Sequence, residues 1–347
     1  MSRRLSRLAV SVTLALLAAA SCLRAGVGSL EPFLGLPPGD KPLVVLASFE
    51  LQDINSIDDE EETFEFTGTL TLVWKDPRQA FNPAEAGVTE KVYQGNFQFN
   101  ELSPAWYPQV HLVNQSGMCE TTAVILRLRP DGTSTLVSTI NAIAEADFSM
   151  RRYPFDRHLL KAVFAIPGFD SGELAFDAQS ASAVPGIQVS QWDIRGVGAN
   201  ARNDGSAAPR FVVAVDVARQ SMFTLRLVLM PLALIVALSW SVFWMERSSL
   251  GDRISVSFVG ILTAVAYQIV VGDLLPHVSY VTLMHAILNF SLFLMCATVV
   301  VNLVVGACDQ HGKSSLGDLI DHRCRWIFPL AYLFLISFAG TVAFVVF

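Results

Sequence analysis

The 347-residue sequence has few charged residues and few cysteines for its length. Charged side chains make up 16% of it, against 52% hydrophobic residues, and the five cysteines lie at positions 22, 119, 296, 308 and 324. The segment 26–220 contains only Cys119, so a framework of disulfides cannot hold that part together. The net charge of −7 excludes a nucleic-acid partner in practice, because nucleic acids are bound by basic surfaces.

The sequence also lacks the short motifs of common enzymes. It contains no HExxH, GxSxG, Walker or GxGxxG pattern, so a membrane-tethered enzyme has no active-site residues to propose. Cys308, His311, His322 and Cys324 are metal-binding residue types close together, but a His-x-Cys spacing is unusual for structural zinc. We therefore predict no enzymatic activity, no metal site and no cofactor.

Long hydrophobic segments are concentrated in the last third of the chain. Four of them, at about 223–245, 254–275, 280–305 and 326–347, are long enough to cross a bilayer at about 1.5 Å per residue. Trp240 and Trp244, near the end of the first segment, are typical of a membrane interface. Residues 221–347 are thus predicted to form a transmembrane domain of four helices, joined after the third by a short polar link, Ala307–His322.

The N-terminal 25 residues have the pattern of a secretory signal. Basic residues at positions 3, 4 and 7 precede the apolar run Leu8–Ala20, which ends in small residues. Removal of this signal places residues 26–220 outside the cytoplasm, and four spans then leave the C-terminus on the same side. Lys313, Arg323 and Arg325 in the third connection fit a cytoplasmic position for it.

The exported segment, residues 26–220, has the pattern of an all-β domain. Thr63–Trp74 alternates apolar and polar residues, Pro130-Asp131-Gly132 is a turn between two such runs, and Phe211–Val217 alternates again. Several short strands without a long amphipathic helix predict an immunoglobulin-like β-sandwich. Gly196–Pro209 is rich in small and polar residues and is predicted to be a mobile hairpin tip.

The second apolar segment has an unusual face for a membrane helix. Residues on one side of it, at helical spacing, are Ser255, Val259, Leu262, Ala266, Ile269 and Asp273. Polar groups near the ends and an apolar middle suit the wall of a narrow water path, where carboxylates attract cations and an apolar ring can close by dewetting. The alternative is a packed helix whose small residues face its neighbours.

Several motifs, in order along the chain, resemble those of one family. They are Trp74-Lys75-Asp76, Trp106-Tyr107-Pro108, Tyr153-Pro154-Phe155-Asp156, Trp192-Asp193, Pro231 in the first apolar segment, and Pro276 with Tyr280 after the second. In this order, and with four spans, the chain resembles the bacterial pentameric ligand-gated ion channels, prokaryotic relatives of the Cys-loop receptors. The resemblance implies a homopentamer of identical subunits in a bacterial cytoplasmic membrane, with the sandwich and the C-terminus on the periplasmic side, passing monovalent cations and contacting lipids.

The resemblance also implies roles for particular residues. The pore would be lined by Asp252, Ser255, Val259, Leu262, Ala266, Ile269 and Asp273, with Asp252 setting ion selectivity and Leu262, Ala266 and Ile269 forming the gate. The two halves would be coupled through Asp59, Asp156, Arg219, Pro276 and Tyr280.

The stimulus is predicted to be pH or a small-molecule agonist. The acidic run Asp58, Asp59, Glu60, Glu61 and Glu62 resembles the first turn of a proton-gated member, and crowded carboxylates take up protons more readily than isolated ones. His277 and His285 are further proton-binding candidates, whereas the pore-helix histidine of that member is replaced by Ala264.

Two alternatives stay open at this point. One is a channel of the same fold gated by an amine or another small molecule, although the usual cage positions near Ala142–Ala144 and in Gly196–Pro209 hold no aromatic ring. The other is a membrane receptor that does not conduct.

Overall fold

Strands come first along the chain and long helices follow. The computed structural model describes residues 35–37, 39, 41–95, 106–203, 208–246, 250–273, 275 and 278–345. The predicted signal peptide at 1–25 lies outside these residues, and so do Pro276 and His277.

The described part of the first half contains ten strands. They are β1 (Leu43–Asp58), β2 (Thr63–Lys75), β3 (Lys91–Gln94), β4 (His111–Leu112), β5 (Gln115–Leu128), β6 (Thr133–Glu145), β7 (Arg157–Ala165), β8 (Leu174–Ala183), β9 (Trp192–Arg202) and β10 (Arg210–Arg219). Short helical turns cover Pro77–Gln79, Pro83–Ala86 and Met150–Arg152. In β2 every second side chain from Phe64 to Trp74 is buried, as the alternation of its sequence predicts.

The strands form two sheets that pack face to face. One has the order β3-β5-β6-β2-β1-β8, in which only β1 and β8 run parallel, and the other has the order β4-β7-β10-β9. The ring of Phe49, in the larger sheet, lies 5.8 Å from that of Phe164, in the smaller one. Each buried aromatic side chain of this kind contributes about 1.5–3 kcal/mol relative to leaving it exposed. The predicted β-sandwich is confirmed.

The hairpin between β9 and β10 differs from the prediction. Gly196–Arg202 belong to strand β9 and pair with β10, with Ala199 opposite Val213, so the first half of the predicted mobile tip is regular sheet. The small residues there suit a strand because its partner β10 supplies the buried valines and Phe211. The tip itself includes residues 204–207, which lie outside the described part of the chain.

The described part of the second half contains four helices long and apolar enough to cross a membrane. They are α1 (Ser221–Trp244), α2 (Leu250–Gly272), α3 (Leu283–Gln310) and α4 (Ser314–Val345). The prediction of four membrane-spanning helices is confirmed, although α4 begins 12 residues before the apolar segment at 326. The predicted polar link Ala307–His322 is helical for most of its length. Only residues 311–313 lie between α3 and α4, so the predicted bounds of the link were wrong. Hydropathy identifies only the part of a helix that lies in hydrocarbon. The helix itself continues into the water phase, because its backbone hydrogen bonds form there as well.

Pro231 interrupts the regular hydrogen bonding of α1. A proline has no N–H to offer the carbonyl four residues before it, and the preceding residues Leu225–Leu229 form a π-helical turn. The hydroxyl of Tyr267 on α2 lies 3.0 Å from the carbonyl oxygen of Leu227 and 2.9 Å from that of Val228. This side chain therefore replaces the missing donor and ties α1 to α2 within the bundle.

Candidate functional site

Helix α2 has one face that its own bundle leaves uncovered. Val259, Leu262 and Ile269 are 63%, 70% and 71% exposed, and the other members of the predicted pore-lining set, Asp252, Ser255, Ala266 and Asp273, are exposed as well. The opposite face is buried against α1, α3 and α4 and consists of Arg253, Ser257, Ala264 and Val271. At 100° per residue the two faces lie about 180° apart. The uncovered face is thus continuous and runs along the helix.

Polar groups stand at the two ends of this uncovered face. Asp252 is in the first turn of α2 and Asp273 directly follows its last residue, so the two carboxylates are separated by about 30 Å along the helix axis. The Ser255 hydroxyl donates to the carbonyl oxygen of Gly251 at 2.8 Å, which leaves its oxygen free to accept from water or to contact a cation. Between Val259 and Ile269 the face is apolar.

Next to Asp252 the chain carries a charge that sequence reasoning missed. The guanidinium of Arg253 is buried and donates to both carboxylate oxygens of Asp321 on α4, at 2.9 and 2.8 Å, and to the carbonyl oxygen of Val242 at 3.1 Å. Arg325 donates to the neighbouring carbonyl of Phe243 at 2.9 Å. Two cations thus cap the last carbonyls of α1 and fix the adjacent end of α2. Arg253 and Asp321 lie 68 positions apart in the sequence, so no local spacing pattern indicated this pair.

At the end of the sandwich nearest the helices, the structure brings three of the predicted coupling residues together. Arg219 Nε lies 3.0 and 3.1 Å from the two carboxylate oxygens of Asp156, and its Nη2 lies 2.6 Å from Asp59 Oδ2. The side chain of Arg219 is 5% exposed, that of Asp156 is fully buried and that of Asp59 is 30% exposed. The coupling cluster, as we call Asp59, Asp156 and Arg219, therefore connects the β1–β2 turn, the segment before β7 and the end of β10.

Aromatic rings enclose the guanidinium of the coupling cluster. It lies 4.2 Å from the ring centre of Trp192 and 4.9 Å from that of Tyr153, and Met150 Sδ is 3.8 Å from Nη2. Rings over a guanidinium attract it electrostatically and exclude water. Arg219 is also the last residue of β10, and α1 begins two residues later at Ser221, so the cluster lies next to the connection between the sandwich and the first membrane helix.

The charges in the coupling cluster stabilise one another. Burial alone would raise the pKa of Asp156, but the hydrogen bond from His158 and the charge and hydrogen bonds of Arg219 outweigh it, and the pKa lies below its ordinary value. Burial would lower the pKa of Arg219, but Asp156 and Asp59 raise it. Both groups are therefore ionised throughout the mildly acidic range.

The coupling cluster has a further partner, His158, that the sequence analysis did not select. Its Nε2 lies 2.7 Å from Asp156 Oδ2 and its side chain is 3% exposed. In β7 buried and exposed residues alternate, and this pattern places His158 inward with Leu160, Ala162 and Phe164. The alternation of apolar and polar residues in β7 could therefore have identified His158 from the sequence. A histidine on the buried face, two residues from an aspartate, needs a polar partner.

Tyr280 connects the helical half to the sandwich. Its hydroxyl accepts a hydrogen bond of 2.8 Å from the backbone N–H of Met150, and the guanidinium of Arg151 lies 5.3 Å from its ring centre. Pro276, predicted to take part in coupling, and His277, a predicted proton-binding residue, both lie outside the described part of the chain. His285 is half-buried and its Nδ1 lies 2.7 Å from the hydroxyl of Thr282, the residue that caps α3.

The five carboxylates of the acidic run have different surroundings. Asp58 accepts hydrogen bonds from the backbone N–H groups of Glu60 and Glu61 at 3.0 and 2.9 Å, which shapes the turn. Asp59 belongs to the coupling cluster, whereas Glu61 and Glu62 line a cleft of about 730 Å³ that also reaches His158. The run is therefore not one uniform patch.

Two of the positions considered for an aromatic cage are buried, whereas part of the other, Gly196–Pro209, lines a cleft. Residues 142–144 lie within β6, and Ala142 and Ala144 are 1% and 0% exposed in the sandwich core. Among the described residues there is no group of three or more His, Cys, Asp or Glu side chains placed to hold a metal ion.

Comparisons with known proteins match both halves of the chain. Residues 35–215 match the family model of the neurotransmitter-gated ion-channel ligand binding domain, and residues 228–315 match that of the neurotransmitter-gated ion-channel transmembrane region. A proton-gated ion channel of Gloeobacter violaceus is 27% identical over 86% of this chain and 82% of its own length.

Animal receptor subunits are also similar. The acetylcholine receptor subunit beta-type unc-29 of Caenorhabditis elegans is 24% identical over 76% of this chain, and the gamma-aminobutyric acid receptor subunit theta of Mus musculus is 23% identical over 70%. The chain spans 53% and 38% of the length of these two relatives.

Proposed function

The chain belongs to the neurotransmitter-gated ion-channel family, and we propose that it forms a homopentameric, cation-selective channel whose pore is lined by α2. Members of this family are ligand-gated ion channels and not enzymes, which confirms the prediction that the chain has no catalytic activity. With four helices able to cross a membrane, it is a multi-pass membrane protein.

The observation that carries the pore assignment is the uncovered face of α2. A membrane helix that points a serine and two carboxylates away from its own bundle needs water on that side, because isolated polar groups in hydrocarbon are costly. Five copies around an axis provide that water by facing this side inward. The apolar part of this face, which includes Leu262, would then form the ring of side chains from which water is excluded when the channel is closed.

Cation selectivity is assigned to Asp252. Five copies of this exposed carboxylate would surround the cytoplasmic mouth, and a ring of like charges concentrates counter-ions of the opposite sign. The gate is assigned to Leu262, Ala266 and Ile269, which continue the same face towards the outside.

Coupling between the halves is assigned to Asp59, Asp156 and Arg219 together with Tyr280, and to Pro276 from its sequence position. The support is geometric, since Arg219 begins the connection to α1 and Tyr280 reaches Met150. A change in the sandwich therefore reaches the membrane through two contacts, one at α1 and one before α3.

The stimulus we propose is pH, acting through Asp58–Glu62, His277 and His285. The relative from Gloeobacter violaceus is a proton-gated channel, and Glu61 and Glu62 line an open cleft where protons can reach them. A small-molecule agonist is the alternative. Residues 1–25 would be removed as a signal peptide, which leaves residues 26–220 on the periplasmic side of a bacterial cytoplasmic membrane, with the C-terminus on the same side and lipids around the bundle.

Cysteine accessibility tests the pore assignment. Leu262→Cys is expected to become sensitive to a water-soluble thiol reagent, which would reduce the current when the channel is open. Ala264→Cys, on the buried face of the same helix, is the matched control and should stay insensitive. Wild type must be measured first, because Cys119 and Cys296 are exposed. Equal sensitivity of the two variants would contradict the assignment.

A further inference from the structure

Resting on the proposed function, we propose that His158 is a proton-binding residue that positions Asp156 for Arg219, so that its protonation state regulates the coupling cluster. His158 has a buried imidazole with one strong hydrogen-bond partner, Asp156. A carboxylate can only accept, so the short contact of 2.7 Å between Nε2 and Asp156 means that Nε2 carries a hydrogen. Among the described residues no hydrogen-bond partner is found for Nδ1, which is where a second proton would bind.

The charge balance of the cluster favours that second proton. Two carboxylates, Asp59 and Asp156, face one guanidinium, Arg219, so the group has a net charge of −1 while His158 is neutral. A buried site tolerates unbalanced charge poorly, and an imidazolium at 2.7 Å from Asp156 restores neutrality. Imidazole is the side chain that changes its charge between about pH 5 and 8. The carboxyl of Asp156 does not compete for the proton there, because its pKa is lowered.

His158 lies beside a cleft that is open to solvent. His158 borders the cleft of about 730 Å³, whose charged lining residues are Glu61, Glu62, Glu145 and Asp147, together with Arg157 and Lys161 from its own strand. Four carboxylates against two cations make the cleft net negative, which attracts protons. The other sides of the ring are covered by Phe148 and Trp192, whose centres lie 4.8 and 5.6 Å away.

Protonation would change how Asp156 is shared. The two oxygens of Asp156 accept from Arg219 and from His158 at once, and a charged donor binds a carboxylate more strongly than a neutral one. A proton on His158 therefore draws Asp156 towards β7 and alters its hold on Arg219. Because Trp192 contacts both the imidazole and the guanidinium, it senses the same event.

The test uses Trp192 as a reporter, because a protonated imidazole beside an indole quenches its fluorescence. Wild type, His158→Gln and His111→Gln are compared as purified full-length protein from about pH 4 to 9. Gln retains an N–H for Asp156 but does not titrate. His111 lies on the neighbouring strand β4, and its ring forms a hydrogen bond with the carbonyl oxygen of Ala165 and not with the coupling cluster. It is therefore the matched control.

The proposal predicts a fluorescence step between about pH 5 and 8 in wild type and in His111→Gln, and its loss in His158→Gln. Currents recorded in parallel should show that the pH midpoint of activation moves in His158→Gln and not in His111→Gln. A step that persists in His158→Gln would overturn the proposal. So would a flat wild-type signal, which requires no variant to assemble. A step without any current would leave the proton site standing and count against the channel function itself.

Discussion

The hydroxyl of Tyr280 accepts a hydrogen bond of 2.8 Å from the backbone N–H of Met150, and this contact joins the segment before α3 to the segment before β7. Met150 also touches Arg219 through its sulfur, so the same residue faces both the coupling cluster and the helical half. The two proposed routes from the sandwich to the membrane thus meet at Met150.

Tyr280→Phe is predicted to weaken this junction without disturbing the fold. It removes one hydrogen bond, worth about 0.5–1.5 kcal/mol, and keeps the ring over which Arg151 lies. The expected result is a shift of activation towards a stronger stimulus with unchanged single-channel conductance. Tyr267→Phe, which loses its bonds to α1 within the bundle instead, is the comparison. An activation curve like that of wild type in Tyr280→Phe would remove this contact from the coupling mechanism.

Arg219→Ala is predicted to assemble but to give small or absent currents. The substitution leaves the buried carboxylate of Asp156 without its main cation, a loss of about 3–5 kcal/mol for a well-buried pair. The matched control is Arg157→Ala, because Arg157 pairs with Asp216 on the exposed face of the same two strands, where water screens the two charges from each other. If the Arg219 variant forms pentamers that gate normally, the cluster has no coupling role.

The stabilising effect of Asp156 is predicted to persist in mild acid. Its pKa in the folded protein is below the ordinary value of 3.8, so its contribution is fully present above that value and is lost as pH falls through the folded pKa. The difference in thermal unfolding temperature between wild type and Asp156→Asn should therefore not shrink between about pH 7 and 5, and should shrink only below about pH 4. A difference that vanished by pH 5 would mean that Asp156 is itself the acid sensor.

Leu262→Thr is predicted to ease opening. A hydroxyl on the apolar part of the α2 face lets water enter the closed pore, so activation should need a weaker stimulus or the resting leak should rise. Val265→Thr is the control, because Val265 lies about one turn after Leu262 on α2 but away from the centre of the uncovered face. It tests whether a threonine elsewhere on α2 has the same effect. The same leak and activation curve as wild type would place the gate elsewhere.

Asp252→Asn is predicted to lower both conductance and the preference for cations over chloride. It removes five charges from the proposed cytoplasmic mouth, whereas Asp318→Asn removes an exposed carboxylate on α4 outside the pore. Reversal potentials in asymmetric salt measure the preference directly. If the two variants behave alike, Asp252 is not the filter.

Periodicity predicted the elements whose environment is uniform along their length. The alternation in Thr63–Trp74 correctly predicted β2. The four apolar segments correctly predicted helices, because the hydrocarbon core of a membrane favours apolar residues along the whole span. The ends of α3 and α4 were not predictable in this way, since their polar turns have no hydropathy signal. Long-range polar partners were not readable either, because Arg253 and Asp321 are brought together only when α2 and α4 pack.

The residues of the candidate site were predicted only in part, because contacts between residues distant in the sequence could not be read from it. Arg219, Asp59 and Asp156 were selected by resemblance, and their distances came from the structure. His158 has no such resemblance, and its importance follows from the face of β7 on which it lies and from its contact with Asp156.

Current recorded from the purified protein in a planar bilayer tests the central claim, that this chain forms a pH-modulated cation channel. With asymmetric sodium chloride and steps from about pH 4 to 10, we expect unitary currents that reverse near the sodium equilibrium potential and an open probability that changes with pH. Pentamers that remain silent at every pH, or currents that reverse near the chloride potential, would contradict it.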